Sequence, residues 1–120
     1  MENFYNELKY ELERRDKTLD DIEWVGILKG GEYAYFDNSV NKDVYFGLEQ
    51  FFRVADFDYW DGFGSTEITL GLVVVGKDWW LERHEYDGSE WWEFKSLPEK
   101  PDVLLEGTDD YIKSKIYDPT

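Results

Sequence analysis

The chain has 120 residues, 42% hydrophobic and 19% aromatic, with 28 Asp and Glu against 13 Lys and Arg, a formal net charge of −15 and no cysteine. That length holds one domain with a core of about five strands and two helices, and its share of core-forming residues is too high for a disordered chain. Disulfides, thiolate metal sites and a cysteine nucleophile are excluded, and direct binding to nucleic acid or an anionic membrane is disfavoured, because both need clustered Lys and Arg.

Met1-Glu2-Asn3-Phe4 opens acidic and amphipathic, where a secretory leader needs a basic start and an apolar run, and no run of 18 apolar residues occurs. A cytoplasmic protein is expected. Asn3 is placed to cap a helix from Phe4 to about Arg15, with Phe4, Leu8 and Leu12 as its apolar stripe and Tyr5 widening it. Glu7 and Glu11 are assigned to its wet side, Glu11 at pairing distance from Arg15. Lys9, Arg14, Arg15 and Lys17 gather towards the helix end, where they complement the negative end of its dipole.

Ile22 to Lys29, Gly30-Gly31 and Glu32 to Phe36 read as a hairpin with Lys29 opposite Glu32. A polar loop follows from Asp37 to Asp43, then a short helix from about Leu48 to Ala55 whose Leu48, Phe51, Phe52 and Ala55 share one face. Residues 56–65 interleave aromatics with carboxylates and read as a loop. Thr66 to Gly76 is expected to be the central strand, apolar on both faces after Leu70. Trp79 to Tyr86 and Ser89 to Phe94 flank Asp87-Gly88, a signal for a two-residue turn with both central residues at positive φ. That turn sets Arg83 opposite Trp92 but also Glu85 opposite Glu90, a like-charge pair; a three-residue turn instead sets Arg83 opposite Glu93. Pro98 and Pro101 end the sheet, and residues 98–120 are expected to be mostly irregular, with a short helix capped at Thr108. The reading is a single α+β domain over residues 1–120: an antiparallel sheet of about five strands, an N-terminal helix, and a second helix between two hairpins.

No catalytic motif emerges, and neither an enzyme nor a cofactor is expected. Asp56, Asp58 and Glu67 match calcium-loop offsets, but Asp61 stands where that loop needs glycine and Trp60 where it needs an oxygen ligand. Paired carboxylates could hydrolyse glycosides, yet so acidic a chain forms close pairs by chance. His84 is the lone histidine, without a nucleophile or second ligand nearby in sequence, and Ser65 and Ser89 sit beside turn glycines. Trp79-Trp80 and Trp91-Trp92 must each send one indole to either face of the sheet. Asp56, Asp58, Asp61 and Glu67 fall in a stretch without basic residues between Arg53 and Lys77, and with Trp60, Trp79 and Trp91 as anchors they form the candidate partner-binding set.

The run from Gly76 to Phe94 resembles stretches of small proteins from bacterial prophages and mobile elements. In size, acidity and lack of catalytic residues the chain is similar to anti-CRISPR proteins. That similarity implies a stoichiometric inhibitor of a basic, nucleic-acid-handling protein such as a Cas nuclease, acting by DNA mimicry or by covering its surface. Immunity proteins against basic toxin nucleases share these features, and a non-enzymatic carbohydrate-binding module is the other alternative.

Overall fold

The computed structural model describes residues 1–28, 31, 33–37, 47–60, 62 and 66–119. The expected Lys29–Glu32 pair, most of the polar loop after Asp37, Asp61 and Ser65 lie outside them. In chain order the elements are β1 (Glu2–Asn3), α1 (Phe4–Arg14), a 3-10 turn (Leu19–Asp21), β2 (Ile22–Ile27), β3 (Ala34–Asp37), α2 (Leu48–Val54), β4 (Asp58–Tyr59), β5 (Leu72–Gly76), β6 (Trp79–Tyr86), β7 (Ser89–Ser96) and α3 (Asp109–Ile116). β2, β3, β5, β6 and β7 form one antiparallel sheet in the order β3-β2-β5-β6-β7, and β1 pairs with β4 in a separate two-stranded ladder. The fold is α+β, as expected. No described helix is long and apolar enough to cross a membrane.

Asn3 begins α1 in the expected way: its Oδ1 accepts the N–H of Asn6 at 2.9 Å, satisfying a donor that the first turn leaves free. Phe4, Leu8 and Leu12 are buried against the sheet together with Leu48, Phe51 and Ala55 of the α2 segment, so both helices cover the same face. On that face Val25, Val74 and Leu81 are fully buried and Trp79 and Trp92 nearly so. Each such side chain contributes roughly 1.5–3 kcal/mol by leaving water. No described helix covers the opposite face, which carries Trp24, Val73, Val75, Trp80, Glu82, His84, Trp91 and Glu93.

Two expectations need correction. The central strand is β5, third in the order, but it begins at Leu72 rather than Thr66. Ile68 is buried through a turn that also leaves Leu70 37% exposed, because a side-chain carboxylate takes the backbone N–H groups of residues 67 and 68 and removes them from any ladder. Glu7 and Glu11, assigned above to the wet side of α1, both leave it: Glu7 points into the protein, and Glu11 is buried, with its carboxylate held by Arg14 and Arg15.

The last hairpin has the two-residue turn, with Arg83 opposite Trp92 and Glu85 opposite Glu90. Asp87 and Gly88 both have positive φ, 51° and 86°, which matches the right-handed twist of the flanking strands. The like-charge pair is relieved by sending its two carboxylates to different partners. Glu85 accepts the N–H of Gly88 at 3.1 Å, while Glu90 turns inward. Beyond Ser96 the chain leaves the body as an exposed arm that ends in α3. The radius of gyration is accordingly 19.0 Å, against about 14 Å for a compact chain of this length.

Candidate functional site: the acidic end of the sheet

The N-terminus of α1, the ladder β1–β4, the turn before β5 and the tip of the β6–β7 hairpin meet at one end of the molecule. Arg83 organises this end from inside. Strand alternation turns Trp79, Leu81 and Arg83 of β6 inward with Glu90 and Trp92 of β7, leaving the Arg83 side chain without exposure. Its Nη1 donates to Glu7 Oε1, its Nη2 donates to the Tyr59 hydroxyl at 3.0 Å and lies 3.8 Å from Glu90 Oε1, and Tyr59 in turn donates to Glu7. The rings of Trp92, Phe4 and Tyr59 surround the guanidinium at 4.9, 5.4 and 5.6 Å. Loss of water raises the Glu7 pKa, and the hydrogen bonds from Tyr59 and Arg83 offset this only in part. The Tyr59 hydroxyl is pushed well above the ordinary tyrosine range by burial and by the Glu7 carboxylate it serves.

Glu90, also without side-chain exposure, accepts the backbone N–H of Glu67 at 2.8 Å and of Ile68 at 3.0 Å. Glu7, Arg83, Tyr59 and Glu90 thus pin α1, β4, the hairpin and the turn at 67–68 to one another. No sequence motif marks this network. The signal was the alternation itself, which puts a cation and a carboxylate on the inward face between buried aromatics.

On the outside of the same end stand the predicted carboxylates. The Asn3 side chain that caps α1 through its oxygen donates through its nitrogen to Asp56 at 3.0 Å and Asp58 at 3.1 Å, so one asparagine holds two exposed acids side by side. Glu67 accepts the backbone N–H of Trp60 at 2.8 Å, and Trp60 is 47% exposed. Among the described residues no Lys or Arg forms an ion pair with Asp56, Asp58 or Glu67. The exposed Glu85 and Asp87 stand at the adjoining hairpin tip. Asp56, Asp58, Trp60 and Glu67 are therefore brought together; Asp61 lies outside the described residues.

The other two anchors part company. Trp79 is only 5% exposed, stacked on Phe94 at 6.0 Å and lying so close over Gly76 that a Cβ there would meet its ring at 2.1 Å. It is a core residue and cannot anchor a partner on this surface. Trp91 is 38% exposed on the face opposite the helices α1 and α2, stacked on His84 at 6.3 Å. His84 itself bridges two acids, Nε2 lying 3.0 Å from Glu82 and Nδ1 3.3 Å from Glu93. Trp80 Nε1 donates to Glu82 at 2.6 Å, and this bond, with that to His84, lowers the Glu82 pKa. The two carboxylates occupy opposite nitrogens of one imidazole, an arrangement that ties β6 to β7 and does not converge on a point. Among the described residues no group of His, Asp and Glu is placed to hold a metal ion. No family model, curated protein or solved structure matches the chain.

Proposed function

We propose that this protein is a stoichiometric inhibitor that binds a basic, nucleic-acid-handling protein through its acidic end, in the manner of an anti-CRISPR protein covering a Cas effector in the bacterial cytoplasm. The observation that carries this reading is the grouping of Asp56, Asp58 and Glu67, exposed and without an ion pair to Lys or Arg among the described residues, around the exposed Trp60. Their hydrogen bonds come from Asn3 and a backbone N–H, so the carboxylates are oriented while keeping their charge. Preset charges of one sign speed capture of a basic surface and make capture salt-dependent. An aromatic ring among them supplies the apolar contact that a charged rim lacks.

The experiment is capture from a nuclease-treated bacterial lysate with the protein immobilised, followed by identification of what raised salt releases. A basic nuclease or Cas effector is the expected catch; a toxin nuclease in its place reassigns the protein as an immunity protein. The variant D56N/D58N/E67Q keeps the acceptors and removes the charge, so association with the captured protein should slow roughly tenfold at low salt. Unchanged association takes this patch out of the mechanism. Capture of oligosaccharides without salt dependence points to the carbohydrate-binding alternative.

A further inference from the structure

We infer that the C-terminal arm, residues 97–117, joins two copies of this chain into a symmetric dimer, with α3 of each copy packed antiparallel against α3 of the other. The arm holds a concentration of exposed apolar side chains: Leu97 is 57% exposed, Val103 83%, Leu104 77%, Leu105 53%, Ile116 77% and Tyr117 66%. A side chain of this size buries on the order of 100 Å², so at these exposures the arm offers roughly 400 Å², about half of the ~800 Å² per partner of a standard specific interface and the size of a weak, reversible one.

The charge pattern of α3 selects a second copy as the occupant. Ile112 and Ile116 lie one turn apart and form an apolar stripe along an eight-residue helix. Asp109 and Lys113, also one turn apart, run along one edge of that stripe with the acid at the N-terminal end. In an antiparallel pair the same edges of the two helices face each other, so Asp109 of each copy meets Lys113 of the other and both pairs form at once. Neither residue is in an ion pair within its own chain among the described residues. The patch is therefore self-complementary, as a two-fold interface requires. In that register Ile112 meets its own symmetry mate, and Ile116 reaches towards Leu105 of the second copy.

Sedimentation velocity of the full chain from about 1 to 300 μM tests this, with circular dichroism to verify that each variant keeps the fold. A monomer–dimer equilibrium is expected, weakened at least tenfold in I112D/I116D. D109K should weaken it as well, because each interhelical pair becomes Lys against Lys, and D109K/K113D should restore it. A monomer throughout the range overturns the inference, whether the arm stays extended or scattering shows it folded back on its own body. So does a dimer indifferent to I112D/I116D, which must use another surface. A dimer lost in I112D/I116D but indifferent to D109K overturns the antiparallel α3 pairing.

Discussion

Arg83 and Arg15 each pair with a glutamate of α1, yet the two ends of that helix treat the same chemistry in opposite ways. At the N-terminal end Arg83 has no exposed side-chain surface and answers Glu7, Tyr59 and Glu90 together. At the C-terminal end Arg15 is 42% exposed, lies 3.5 Å from Glu11, and rests over the ring of Phe94; Arg14, 53% exposed, makes a second contact to Glu11 at 3.0 Å. The difference is water. A buried charge must keep its partners because nothing else can solvate it, whereas an exposed one exchanges its partner for solvent at little cost. The acidic end is thus built on one internal cation, while the basic end carries Arg14 and Arg15 on the surface over the buried carboxylate of Glu11.

The sharpest way to break this contrast is Arg83→Met, which leaves Glu7 and Glu90 facing each other without a cation. It should cost roughly 3–5 kcal/mol in urea unfolding. A loss below about 1 kcal/mol would mean that the network adds nothing to holding α1 on the sheet. Asn3→Ala removes the cap and releases Asp56 and Asp58; about 1 kcal/mol is expected, together with more rapid exchange of the first-turn amides of α1. Arg15→Ala, the counterpart of the first variant, should cost no more than about 0.5–1 kcal/mol, mostly the contact with Phe94. A larger loss would erase the distinction between the ends.

The smallest effect is one of pH. Burial raises the Glu7 pKa in the folded state, so its favourable contribution is fully present below the ordinary value of 4.5 and is lost as pH rises through the folded value. Glu82, on the face opposite α1 and α2, is lowered by Trp80 and His84, so its contribution is present above the ordinary value and lost as pH falls through the folded one. Unfolding curves of Glu7→Gln and Glu82→Gln, compared with the native chain between pH 3 and pH 7, should therefore diverge with opposite slopes. Parallel curves would show that the two faces of the sheet treat a carboxylate alike.

Local chemistry was legible wherever a residue acts on its own neighbours. Asn3 capping α1, the Asp87-Gly88 turn and Thr108 ahead of α3, where its Oγ1 accepts the N–H of Tyr111 at 3.3 Å, are contacts within a few residues, and each reads directly from the chain. The stripes of α1 and α2 and the order of hairpins follow from periodicity, which also placed β5 at the centre. The grouping of Asp56, Asp58, Trp60 and Glu67 was visible as a stretch poor in basic residues. What it stands on was not: β1 and β4 are two residues each, too short to show a period, and their pairing joins positions more than fifty residues apart.

The chain by itself determined the three helices, the two hairpins and the acidity of the surface, because these depend on short-range sterics and on composition; it left two registers open for the last hairpin, and the folded chain takes the two-residue turn. Tertiary structure alone decided which face of the sheet the helices cover, and with it the fates of the tryptophans: Trp79 in the core, Trp91 at the surface. It also decided that Glu7 and Glu90 turn inward to Arg83. Alternation says that neighbouring residues take opposite faces, but only packing chooses which face is dry, and a carboxylate accepts the dry side when a cation already waits there.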